Sequence, residues 1–397
     1  MKEEIVPLAD MVVQERMSDE PGQAVTVTPS RLVSLDVFRG LTIAGMVLVN
    51  NPGSWAHIHW PLEHAEWNGW TPTDLVFPFF LFIVGVAIPL ALGRRVESGG
   101  SKRDLYFKIS KRTVIIFALG EFLAGFPYFQ LATIRIPGVL QRIAVCYFFA
   151  ALIFLKTRPR TQAIIALALL IVYWLLMTHV PVPGYGAGVL TKDGSLASYI
   201  DRTVFGAHVW SQAKVFDPEG ILSTMGALAT TLFGVLAGNH LRCETRTQFE
   251  KVSGLFVAGL CCIVIGWAWH PFFPINKALW TSSYVFFTGG MALQLLAFCY
   301  WLIDIKNYRA WARPFVVFGV NAITLFVGTG IMARLMDLIN VSGDNGAPIS
   351  LQSWIYKTLF LSWASPINAS LAFAITFILL WLGLMWLLYW RKIFIRV

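Results

Sequence analysis

The sequence predicts an all-α integral membrane protein, a polytopic bundle of about ten transmembrane helices with both termini cytoplasmic. Three observations predict it. Of the 397 residues, 56% are hydrophobic and 13% charged, about half the charged share of a soluble domain. Apolar runs long enough to cross hydrocarbon recur along the chain. Lysine and arginine alternate in density between the segments joining those runs, as the positive-inside rule requires. A soluble globular protein is excluded. The net charge of +9 reflects topology and not nucleic-acid binding.

Residues 1–30 are polar and mixed in charge. They lack the basic start, apolar centre and small-residue cleavage site of a secretory signal, so a flexible cytoplasmic tail is expected, followed by one transmembrane domain over 31–397. The apolar runs are 32–50, 74–93, 113–129, 137–155, 161–179, 221–239, 252–270, 283–303, 314–333 and 369–390. With the N-terminus inside, 23 of the 31 lysines and arginines fall in inner segments and seven in outer ones, with Arg142 inside the fourth span. The outer segments 51–73, 180–220 and 334–368 hold most of the non-basic polar residues. Within the last, Trp354 to Trp363 is apolar but too short to span, which predicts an interfacial or re-entrant helix and leaves an eleventh half-span open. The five cysteines lack zinc or disulfide spacing and are assigned to packing. No internal repeat is evident.

The densest group of chemistry-bearing residues is His57, His59, Glu63, His64, Glu66, Trp67, Asn68 and Asp74. Histidine exchanges protons near neutral pH, and a nearby carboxylate fixes its tautomer. His64 beside Glu63 and Glu66 fits that description. Interfacial anchoring or a three-histidine metal site are the competing readings of this loop. A second group joins Asp36, Arg39 and Asn50 on the first span to Asp74 on the second. Arg39 can pair with Asp36 three residues away or bind a phosphate. The third group is Arg135, Gln141 and Arg142, where a buried arginine needs a carboxylate such as Glu121 or a ligand anion. Asp217 and Glu219 can cap a helix. Together with Lys277 and Trp280 they can also hold a sugar, by hydrogen bonds and indole stacking.

The segments RLVSLDVFRGLTIAGMVLVN (31–50), HAEWNGWTPTDLVFPFFLFIVG (64–85), IRIPGVLQRIAVCY (134–147), DPEGILSTMGALATTLFG (217–234) and PINKALWTSSYVFFTGG (274–290) carry a resemblance. They resemble the heparan-α-glucosaminide N-acetyltransferase family and its bacterial relatives, over roughly 31–390. The resemblance implies a membrane acetyltransferase that takes acetyl from cytoplasmic acetyl-CoA and gives it to a glucosamine-type amine across the membrane. By the same resemblance, His64 matches the family's active-site histidine, expected to act as general base or as transient acetyl carrier, and Asn50 its associated asparagine. Asp74 is grouped with them as catalytic. Arg39, Arg94, Arg112, Gln141 and Arg142 are the candidates for binding acetyl-CoA, and Trp67, Asn68, Asp217, Glu219, Lys277 and Trp280 for the acceptor. No metal is expected.

No large N-terminal extension like that of the lysosomal member is expected, so processing and lysosomal placement do not carry over from the resemblance. The expected location is a bacterial inner membrane, with the site facing the periplasm or exterior. Expected partners are acetyl-CoA, an amino-sugar or glycan acceptor and the bilayer, with no nucleic acid, and a homodimer fits the reading. The rival is a transporter of amino sugars or N-acetylated sugars, with His64, Asp74, Glu121 and Arg142 as coupling groups.

Overall fold

The computed structural model describes residues 32–99, 101–343 and 347–395. The expected tail at 1–30 lies outside them, as does the side chain of Arg94. Every apolar run of the sequence falls on a helix. In chain order these are α1 (Val33–Asn50), α2 (Val76–Glu97), α3 (Lys102–Gly125), α4 (Val139–Lys156), α5 (Pro159–His179), the short α6 (Leu196–Phe205), α7 (Thr224–Arg242), α8 (Gln248–Trp269), α9 (Ser282–Cys299), α10 (Arg313–Val320), α11 (Ala322–Leu338), α12 (Leu351–Ile355) and α13 (Pro366–Trp390). Local chemistry sets their ends. Ser101 caps α3 through the Asp104 amide, Thr247 and Glu250 form a capping box on α8, and Pro159 and Pro366 open α5 and α13 where no amide partner is needed.

Seven of the described helices are long and apolar enough to cross a membrane, or eight spans if the bent α10–α11 pair counts as one. The protein is thus a polytopic helical membrane protein. Two of the ten expected runs fall outside that set. The 113–129 run is the second half of α3, whose first half carries Lys102, Arg103, Lys108, Lys111 and Arg112. The 221–239 run lies in α7, where threonines, Asn239 and His240 dilute the apolar character. The 314–333 run is broken at Asn321, where α10 and α11 meet at 80°. The Trp354 to Trp363 stretch begins as α12 and continues as a wider π turn through Phe360. The sequence reading lacked the small antiparallel hairpin that precedes it, Asn340–Ser342 with Pro348–Ser350.

Close backbone approach organises the bundle, as expected where small residues line helix interfaces. α2 packs on α7 with Gly85 against the Thr231 carbonyl and Gly234 against that of Phe82. α1 packs on α10 in the same way, through Gly40 at Phe315 and Gly319 at Asp36. Around these seams Phe38, Phe82, Val86, Leu293 and Leu296 fill one core, and Leu81, Ile143, Trp280 and Tyr284 a second.

Candidate active site

The loop after α1 is built around one buried carboxylate. Asp74 sits in a 3₁₀ turn (Pro72–Leu75) that opens the second span, and its side chain is 1% exposed. Its Oδ2 accepts from the amides of Ala65 (3.1 Å) and Thr71 (3.0 Å) and from the Thr71 hydroxyl. The other oxygen, Oδ1, lies 2.7 Å from Nδ1 of His64. An ionised Asp74 accepts a hydrogen carried on Nδ1, and the neutral tautomer with that hydrogen leaves the Nε2 lone pair free. The Tyr284 hydroxyl donates to the Asp74 carbonyl at 2.5 Å and ties the turn to α9. Glu63 and Glu66, the neighbours expected to set the tautomer, are exposed instead.

A second loop, between α8 and α9, closes on the first. The Gly69 amide donates to the Ile275 carbonyl (2.8 Å), and Asn276 Nδ2 donates to Asn68 Oδ1 (3.2 Å). This clasp brings Lys277 Nζ to 3.0 Å from Nδ1 and 3.1 Å from Nε2 of His64, and to 3.6 Å from Asp74 Oδ1. Burial pulls the Lys277 ammonium below the ordinary lysine range, while Asp74 and Glu219 pull it back.

His64, which is half exposed, opens onto a cavity of about 1060 Å³. At the same mouth lie Asn50 at the end of α1, Arg135, Trp210, Glu219 and Lys277. The middle is walled by Phe77, Phe80, Ile83 and Val84 of α2, Ile115 and Ile116 of α3, Ile143 of α4 and Phe326 of α11. The opposite end holds Asp36, Arg39, Arg95, Lys108, Lys111 and Arg112. Arg39 reaches Asp36 and the Gly319 carbonyl, both at 3.4 Å. Among the described residues, none of Arg95, Lys108, Lys111 and Arg112 meets a carboxylate. The Arg112 guanidinium lies 4.9 Å from the Tyr147 ring centroid, and its Nε is buried without a hydrogen-bond partner. Unmatched cations at the end of a largely apolar channel attract an anion with several charges.

Several residues singled out in the sequence stand elsewhere. Trp280 is 1% exposed, and its Nε1 donates to the Thr230 hydroxyl. Trp67 donates to the Leu190 carbonyl and packs edge-on to Phe216. Gln141 donates to Glu121, so that carboxylate does not hold Arg142. Arg142 instead is buried beneath the mouth, bound to the Gly220 carbonyl and the Ser223 hydroxyl and facing the Trp280 ring. Asp217 and Glu219 both bind Arg135, and α7 is entered at Ser223, so neither carboxylate is its cap. Of this pair only Glu219 lines the cavity. His59 bonds Asn368. Lys108, Lys111 and Trp210 were not singled out from the sequence. Lys108, Lys111, Arg112, Ile115 and Ile116 follow the i, i+3, i+4, i+7, i+8 spacing of one helix face, a signal that was there to be read.

Fold and site together define a polytopic membrane protein in which a histidine–aspartate pair stands at one end of a channel and a cation cluster at the other. Residues 31–194 match the family model described as heparan-alpha-glucosaminide N-acetyltransferase, catalytic. The chain is 32% identical over 362 residues to the heparan-alpha-glucosaminide N-acetyltransferase of Homo sapiens, covering 77% of this chain and 53% of that protein. To the Mus musculus protein of the same name it is 31% identical over 358 residues, 76% of this chain and 54% of the other. Over most of its length the chain is thus similar to members of the heparan-alpha-glucosaminide N-acetyltransferase family. It spans about half the length of these curated relatives.

Proposed function

We propose that the protein transfers acetyl from cytoplasmic acetyl-CoA to the amine of a glucosamine-type sugar on the other side of the membrane. One observation carries this reading. A single cavity runs from Arg95, Lys108, Lys111 and Arg112, which meet no carboxylate among the described residues, to the His64–Asp74 pair at the other end. The polyanionic nucleotide cannot enter hydrocarbon, whereas the pantetheine arm can lie along the apolar middle of the channel. Arg39, Arg95, Lys108, Lys111 and Arg112, which line that end of the cavity, hold the phosphates. His64 Nε2 then meets the thioester.

Donor and acceptor reach this nitrogen from opposite sides, so His64 serves as a transient acetyl carrier. Nε2 attacks the thioester carbon, and the ring keeps its Nδ1 hydrogen against Asp74, which balances the acetyl-imidazolium. Asn50 lines the same cavity and its side chain makes no hydrogen bond among the described residues, so its amide is free to donate to the acetyl oxygen as charge builds on it. At the mouth, Glu219 receives the amino sugar and the Trp210 indole offers a face for stacking.

Purified protein supplied with acetyl-CoA and glucosamine tests this reading. N-acetylglucosamine and free CoA should form, and His64→Ala should abolish both. Uptake of amino sugar into proteoliposomes without CoA release would support a transporter instead.

A further inference from the structure

We propose that Lys277 is the proton carrier of the transfer, giving a proton to the departing sulfur and taking one back from the acceptor nitrogen. The inference rests on the acetyltransferase reading and extends it to a residue otherwise assigned to acceptor binding. It starts from position. Nδ1 of His64 is engaged by Asp74, and Lys277 Nζ lies 3.0 Å from Nδ1 and 3.1 Å from Nε2, so the nitrogen that must react is within its reach. A group so close to the reacting atom does not serve only as a distant sugar contact. The clasp between the 64–74 and 270–281 loops, through Gly69, Ile275, Asn68 and Asn276, holds it there.

The charges at this mouth make the proton mobile. The ionisable groups facing Lys277 are His64 and Asp74 from the first loop and Glu219 from the segment before α7, with Arg135 lining the same mouth. Arg135 already holds Glu219, and Asp74 is shared with His64. Lys277 therefore lacks a dedicated counter-ion, and its side chain is 22% exposed. An ammonium in that setting gives up its proton more readily than a solvated one.

The steps balance. In the first, the Nε2–carbon bond forms, the carbon–sulfur bond breaks and the sulfur takes a proton from the Lys277 ammonium. Acetyl-imidazolium, free CoA thiol and neutral lysine result. In the second, the neutral acceptor amine bonds to the carbonyl carbon, the Nε2–carbon bond breaks and the amine proton passes to Lys277. The starting protonation state is restored without an outside acid or base.

The test compares the full-length parent with Lys277→Arg and Lys277→Met, each purified in detergent and mixed with acetyl-CoA without acceptor. Arginine keeps the charge but not a transferable proton. Both variants should release CoA at least about 100-fold more slowly than the parent. With p-nitrophenyl acetate, whose phenolate departs without protonation, both should keep the rapid phenolate burst that His64→Ala lacks. Lys277→Arg releasing CoA at the parental rate would overturn the proposal. So would loss of the burst in both variants, which would make Lys277 a positioning group. A parent that releases no CoA until glucosamine is added would overturn the carrier step and the lysine's role with it, and one that releases none even with glucosamine would overturn the acetyltransferase reading itself.

Discussion

Asp74 determines what His64 can do, because one buried carboxylate binds the ring and two backbone amides together. Asp74→Asn should therefore lower turnover by about 10²- to 10⁴-fold. The donor's Kd should stay close to that of the parent, since Asp74 is remote from the cation cluster. Stopped-flow CoA release and equilibrium acetyl-CoA binding separate the two effects. Asp201 of α6 offers a different single-residue test. Burial raises its carboxyl to about 7, against one hydrogen bond from the Ile221 amide and with Asp217 nearby adding to the rise. Its pKa in the fold lies above the unfolded value of about 3.9, so the fold binds this proton more tightly. Stability should rise as pH falls from above 7 towards 4. Melting temperatures in detergent should follow that trend in the parent, and Asp201→Asn should flatten it.

At this scale, residue type and position made much of the site legible. His64, Asn50, Glu219 and Lys277 come to one mouth from segments far apart in sequence, all among those already singled out. Partner choice was less legible. Glu121 was the available carboxylate for Arg142, yet Gln141 takes it, because helix rotation and not sequence distance decides which side chain faces which. Trp280 had the composition of a sugar platform, but its indole N–H reaches Thr230 and the ring is packed away. Trp280→Phe should lower the melting temperature and leave the acceptor KM unchanged.

Among elements, α3 carries most of the proposed donor site. Its single face of Lys108, Lys111, Arg112, Ile115 and Ile116 changes from cationic to apolar as it enters the channel. Hydropathy averaging hides this change, and it also removes α3 from the apolar spans. Lys108→Ala and Arg112→Ala should each weaken acetyl-CoA binding about tenfold, equivalent to about 1.4 kcal/mol. The loss of affinity should shrink at high salt if the contact is chiefly charge with charge. Isothermal titration at two ionic strengths measures it.

The break at Asn321 is the other informative element. Its Nδ2 donates to the Ile393 carbonyl and its Oδ1 accepts from the Ile395 amide, so the chain after α13 is pinned beside the bend. Val320, Ala322, Ile323 and Ile395 all line the cavity there. An apolar run of 20 residues reads as one span in sequence. The 80° turn coincides with tertiary bonds from Asn321 that composition does not report.

Across the whole molecule, the helices place two unlike chemistries at opposite ends of one channel. Close glycine seams between α2 and α7 and between α1 and α10 leave no room for side chains there, so Gly85→Leu should cost yield and thermal stability before any step of chemistry is affected. The helical class and the spans were legible because burial in lipid demands continuous apolar helices. The channel was not, since its walls come from α1, α2, α3, α4 and α11, whose mutual rotation no local pattern encodes.

Transfer by this route requires the acetyl group to rest on His64. Protein mixed with acetyl-CoA in the absence of acceptor, quenched and mapped by peptide mass spectrometry, answers this directly. We expect acetyl on His64, cleared when glucosamine is added and missing in Asp74→Asn at short times. Steady release of CoA to an acceptor with His64 never modified would contradict the account.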